Sequence, residues 1–208
     1  VGMTNDYAAG ATGAGWAVAV LDSGTRGTHE FVSGKVVSAA CYSTTNAAYP
    51  SESYCPGGAP SSTAIDSAND CDVTILGCGH GTHVSGIAAG NNTNRQAGEP
   101  AIGVSRDSTL ITINVFSKFT DANLCGSMGP CILSYTSDQI LGLERVYALR
   151  NTFNIAAINM SLGGGQFFSN CDSDSRKPII DQLKAAGVAT LIAGGNDAYD
   201  NAMSAPGC

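Results

Sequence analysis

Charge is scarce in this chain of 208 residues. Only 13% of them are Asp, Glu, Lys or Arg, and acidic residues outnumber basic ones 17 to 10. The resulting net charge of -7 argues against nucleic acid or an anionic membrane as the main partner. No run of 18 apolar residues suggests a membrane span, and no signal-peptide pattern opens the chain, which begins as though already processed. No two cysteines are spaced C-x-x-C, which removes zinc-ribbon and thioredoxin-like sites. There is no Gly-x-Ser-x-Gly elbow, so an α/β-hydrolase reading lacks its nucleophile. The first apolar strand is followed by Asp22-Ser23-Gly24 and not by a Gly-x-Gly-x-x-Gly turn, which excludes the usual dinucleotide site. Histidine occurs only at positions 29, 80 and 83, with no His-Glu-x-x-His pattern for a metalloprotease zinc.

What is present is glycine (26 residues) and cysteine (8 residues). The length suits one domain with a buried core, and apolar runs recur throughout, so no segment reads as disordered. Cys41, Cys55, Cys71, Cys78, Cys125, Cys131, Cys171 and Cys208 all lie in polar, loop-like stretches. That usage points to a secreted protein with disulfides. Eight cysteines allow 105 pairings. Closeness along the chain favours 41 with 55, 71 with 78 and 125 with 131, leaving 171 with 208 unless Cys208 pairs beyond this sequence. Each closed loop of about 15 residues contributes roughly 3 kcal/mol.

Residues 16–21 form a short apolar run ending in a turn, which predicts a buried strand. A weaker strand is expected over 35–39. Residues 41–79 are a Ser/Thr/Pro/Gly-rich insertion without helical periodicity, held by its cysteines. A small-residue helix is expected over 80–90 and strands over 110–115, 155–160 and 188–193, with a loop at 117–135. Thr136-Ser137-Asp138-Gln139 has the form of a capping box for the next helix. Pro178 opens a further helix that Gly187 stops. Strands alternating with helices predict an α/β fold with a parallel sheet covered on both faces, its functional groups just beyond the carboxyl ends of the strands.

Asp22, Ser161 and Asn196 all fall at such ends, and His80 sits between Gly79 and Gly81 where a loop turns into a helix. A carboxylate, a histidine and an amide in those places suggest acyl transfer: Asp22 orients His80, His80 acts as base and then acid, and Asn196 bonds an oxyanion. Four stretches carry a resemblance to the subtilisin-like serine proteases (subtilases). They are Ala19-Val20-Leu21-Asp22-Ser23-Gly24, His80-Gly81-Thr82-His83-Val84-Ser85-Gly86, Asn159-Met160-Ser161-Leu162-Gly163 and Ala193-Gly194-Gly195-Asn196. They resemble the family's aspartate, histidine, specificity-pocket and oxyanion motifs in that order, spanning nearly the whole chain. The resemblance implies a parallel α/β sheet, peptide-bond hydrolysis and a secreted enzyme of the bacterial extracellular type. It also implies a substrate-binding edge at Ser161, Leu162 and Gly163, an opposite edge at Leu133 and Ser134, and a neighbouring stretch at Ala193, Gly194 and Gly195.

The family's nucleophilic serine follows the oxyanion asparagine at a distance, in the chain order Asp, His, Ser. The expectation is therefore that residues 1–208 are the N-terminal portion of a catalytic domain, C-terminally incomplete and inactive alone. Its serine would lie in a C-terminal part, present as a separate chain or absent. Ser127, in Gly126-Ser127-Met128-Gly129, is a poor substitute because it precedes Asn196. The rival reading is a non-catalytic fragment or pseudoenzyme that at most binds peptides. If the serine-bearing part is absent, apolar surface should be exposed near 188–193. A monomer acting on proteins or peptides is expected, with no cofactor required for chemistry. Structural calcium is conceivable at Asp172-Ser173-Asp174 and in the loop 91–99, where oxygen ligands cluster. Asn91-Asn92-Thr93 is a glycosylation sequon, and His83 is expected to be structural.

Overall fold

The computed structural model describes residues 3–92, 96–98, 101–126 and 129–208. Ser127 and parts of the loop 91–99 thus lie outside the described residues. A short helix, α1 (Thr4–Ala8), precedes the central strand β1 (Ala17–Asp22). Then come β2 (Val36–Tyr42), β3 (Ser51–Ser53), β4 (Ser61–Ser62), α2 (His80–Ala89), β5 (Thr109–Asn114) and β6 (Ser117–Phe119). The chain continues through α3 (Ala122–Cys125), β7 (Cys131–Leu133), α4 (Thr136–Leu149) and β8 (Ile155–Met160). It closes with β9 (Gly164–Phe167), α5 (Lys177–Ala185), β10 (Ala189–Ile192) and β11 (Met203–Ala205).

The main sheet has the order β10-β8-β1-β5-β2-β4, parallel except for β4. Period-two alternation splits its residues between two faces. Ala17, Ala19, Leu21, Ile111, Ile113, Ile158 and Met160 meet Leu143, Val146 and Leu149 of α4 and Ile179 and Leu183 of α5. Each large aliphatic side chain buried there contributes about 1.5–3 kcal/mol. On the other face, Val20 and Leu110 pack with Val84 and Ala89 of α2 and with Val32.

The second face is covered by α2 over β1 and β5 and is open over β10, where apolar surface was expected near 188–193 if the serine-bearing part is absent. Leu191 pairs in register with Asn159, and Asn159 with Val20, so Leu191 shares the α2 side of the sheet. No helix among the described residues covers that side over β8 and β10. Leu191 is 56% exposed and Ala189 is exposed, whereas Val188 is buried and Ile192 packs toward α5.

Two local expectations need correction. The stretch 117–135 is no plain loop, since β6 and β7 join β3 in a three-stranded antiparallel sheet with α3 between them. The capping box at α4 does not form. Tyr135 is the N-cap without a side-chain bond, because Thr136 has already entered the helix. Asp138 instead accepts bonds from the backbone N–H and hydroxyl of Thr44, and Gln139 turns back to Ser134. The helix opened by Pro178 and stopped before Gly187 (φ +82°) is as expected.

All eight cysteines of the sequence are paired: Cys41–Cys55, Cys71–Cys78, Cys125–Cys131 and Cys171–Cys208. Three are the short closures that chain proximity favours, and Cys171–Cys208 is the pairing left over.

Candidate active site

Asp22 is the last residue of β1 and only 1% exposed. Parallel pairing on both sides of β1 delivers its carboxylate to the carboxyl-end rim of the sheet, where helices leave room for polar groups. His80 is the first residue of α2, with its side chain 45% exposed. Nδ1 of His80 lies 2.8 Å from Oδ1 and 3.0 Å from Oδ2 of Asp22. An ionised carboxylate can only accept, so Nδ1 carries a proton, and in the neutral ring Nε2 is left with the free lone pair. The same Oδ1 accepts the backbone N–H of Ser23 at 2.7 Å, which fixes the carboxylate's rotation. The hydrogen bond from His80 to Asp22 raises the imidazole pKa. Partial burial opposes that shift, and the negative charge of Asp22 reinforces it.

The two glycines flanking His80 do different work. Gly79 has ordinary right-handed backbone angles (φ -88°, ψ -2°), so the turn itself does not demand glycine. Gly81 is required for close approach, because a Cβ there would collide with the carbonyl oxygen of Gly24. Residues not singled out from sequence complete the joint. The Ser23 hydroxyl accepts the N–H of Gly81 at 3.0 Å and donates to the carbonyl of Cys78 at 3.4 Å. The Thr82 hydroxyl accepts the N–H of Arg26 at 2.8 Å, and Asp70 pairs with Arg26 at 3.1 Å. Ser23 and Thr82 lie inside the two motifs, so their positions were a usable signal; Asp70, in the insertion, offered none.

Along the rim, β8 separates β1 from β10, which puts Asp22 and the end of β10 two strand spacings apart, about 10 Å. Residues 161–163 follow β8 outside any strand pairing, and Leu162 is buried while Gly163 packs against Ser204 and Ala205. Asn159 donates to the hydroxyl of Ser161 at 2.9 Å. Ala193 donates to the carbonyl of Met160, and the carbonyl of Gly194 accepts from Ser204. Gly195 has φ +119° with Ser204 pressed beneath it, and Asn196 follows in an exposed position. On the opposite side, Leu133 ends β7 at 37% exposure, and the Ser134 hydroxyl donates to the carbonyl of Val115 at 2.6 Å.

His83 is exposed and takes part in no group of three metal-binding side chains among the described residues. At 172–174 both carboxylate oxygens of Asp174 are engaged by Arg176, at 2.8 and 2.6 Å.

An extracellular serine proteinase of a Thermus species is 30% identical over 200 residues, covering 96% of this chain and 36% of the relative. A subtilisin-like protease 7 of Trichophyton verrucosum is 29% identical over 208 residues, covering 99% of this chain and 38% of that protein. This chain thus spans little more than a third of the length of these two relatives. Among solved structures, a psychrophilic protease superposes with a TM-score of 0.63 at 25% identity, over 94% of this chain and 51% of that one. Sphericase gives 0.64 at 23% identity over the same shares. The sequence model of the subtilase family matches residues 13–208, and the chain belongs to that family.

Proposed function

We propose that this chain is the N-terminal part of the catalytic domain of a secreted serine endopeptidase that hydrolyses peptide bonds with an Asp-His-Ser triad. The single observation carrying the assignment is the two-oxygen grip of buried Asp22 on Nδ1 of His80. That grip holds the tautomer in which Nε2 is the base. Nε2 takes the proton of the serine hydroxyl as its oxygen attacks the scissile carbonyl. The developing oxyanion is met by the side-chain NH₂ of Asn196. His80 then passes the proton to the leaving amine, and water repeats the cycle on the acyl-enzyme. No cofactor enters these steps.

The serine is assigned to a part of the protein outside these 208 residues. Among the described residues no hydroxyl is bonded to Nε2 of His80, so the chain alone is read as inactive. The bare α2 side of β8 and β10 is the surface on which the serine-bearing part packs, whether joined covalently or as a separate chain. Residues 161–163 and Leu133 with Ser134 form two backbone edges that accept an extended peptide between them. Four disulfides support secretion, and a monomer is the working assembly.

With no hydroxyl bonded to Nε2 of His80 among the described residues, the second reading is a chain that binds peptides and does not cleave them. Intact mass with and without a serine-directed fluorophosphonate separates the two. A single adduct on a second polypeptide held to this one supports the protease. Whole protein with no adduct supports the binder. An adduct on the 21.1 kDa chain itself overturns the serine assignment.

A further inference from the structure

A line of hydrogen bonds runs from a buried ion pair to the β7 edge and on to β1. Arg176, 6% exposed, grips Asp174 through Nε and Nη2 and donates from Nη1 to Oε1 of Gln139 at 2.6 Å. Gln139, 5% exposed, donates from Nε2 to the Ser134 hydroxyl at 3.1 Å. Ser134 donates to the carbonyl of Val115, and the N–H of Val115 donates to the carbonyl of Asp22 at 3.1 Å.

The chemistry gives this line one direction. A guanidinium has donors only, so Gln139 must present its oxygen to Arg176 and its NH₂ to Ser134. The hydroxyl of Ser134, already accepting from that NH₂, spends its single proton on Val115. Asp174, held in its charged form by Arg176 and kept below the usual carboxylate range, balances the guanidinium at the far end. Nothing in a plain surface strand needs such an anchor: β7 is three residues long, pairs with β6 along one side and, among the described residues, is bridged on the other only at Cys131 by Leu76. A strand so short, with Leu133 exposed, would otherwise fray.

We propose that Gln139 and Arg176 are positioning residues that hold the β7 edge, through Ser134, in the extended form that pairs with a peptide. The proposal rests on the reading of Leu133 and Ser134 as a peptide-binding edge. It assigns affinity for long peptides over short ones to two side chains that touch no substrate.

Gln139→Glu is the discriminating variant. A carboxylate keeps the contact with Arg176 and so keeps the fold, but it cannot donate to Ser134, whose hydroxyl turns toward it and releases Val115. Gln139→Met, which removes both bonds, serves as the second variant. Two readouts are taken on the chain: amide hydrogen exchange at residues 132–134, and binding of N-acetylated alanine amides of one and four residues, followed by NMR. Exchange at 132–134 should quicken about tenfold or more in both variants, and four-residue affinity should fall about tenfold with one-residue affinity unchanged. Unchanged exchange, or an unchanged preference for the longer peptide in a variant, overturns the positioning role. A wild-type chain with no preference for the longer peptide overturns the edge reading itself, and the variants are not needed to see it.

Discussion

Gly81 and Gly24 meet backbone to backbone. A methyl group on Gly81 would strike the Gly24 carbonyl and lie 3.1 Å from Cβ of Asp22. The start of α2 is therefore pressed onto the turn after β1, and the spacing of His80 from Asp22 is set by main chain. Flexible side chains have little part in it.

Gly81→Ala should cost about 1–3 kcal/mol, as overpacked sites do. Chemical denaturation of the chain checks this, and an unchanged midpoint would show that the two turns are not in tight contact.

Because the fold raises the pKa of His80, it favours the imidazolium. The associated stability is fully present below the unfolded value of about 6.5 and is lost as pH rises through the folded value. An NMR titration of the His80 ring should show a midpoint above about 6.5 that drops in Asp22→Asn. If the midpoint stays put in the variant, Asp22 is not its cause. In the whole protein, turnover should rise with pH through the same midpoint, since Nε2 must be unprotonated to act as base.

Asn196 is exposed, so Asn196→Ala should shift stability by no more than about 0.5 kcal/mol. In the whole protein it should lower kcat by about 10²–10³ with little change in KM. Steady-state kinetics on a peptide substrate decide the matter, and a kcat within twofold of wild type removes Asn196 from the oxyanion site.

Leu191→Glu tests the bare side of the sheet. At 56% exposure the substitution should leave the melting temperature of this chain nearly unchanged. It should nevertheless block fluorophosphonate labelling when the serine-bearing part is supplied, because a carboxylate would be buried without a partner. Full labelling of the variant would place that part elsewhere.

The parallel sheet was legible because residues 16–21, 110–115 and 155–160 are near-continuous apolar runs, the signature of interior strands of a parallel sheet. The contact of Asp22 with His80 was legible because the first ends such a run and the second opens a helix after a glycine-bearing loop. The small sheet of β3, β6 and β7 was not, since strands of three residues carry too little pattern to separate from loop. The capping box misled because Asp138 has a partner, Thr44, 94 residues away, that no local window contains. Arg176 was invisible for the same reason: its partner Gln139 belongs to another helix.

The four disulfides have a common placement with a chemical consequence. Each ties down a loop or strand tip on the rim, and none joins two of the parallel strands that form the floor beneath it. The floor is held by apolar burial, which a thiol does not touch. The staples also differ in reach: Cys41 and Cys55 are at most 3% exposed, while Cys125 and Cys131 are half-buried beside the β7 edge. A mild reductant therefore meets the Cys125–Cys131 staple first. It slackens β7 while the floor and the Asp22–His80 pair stand, so that the proposed peptide edge should loosen in advance of the fold.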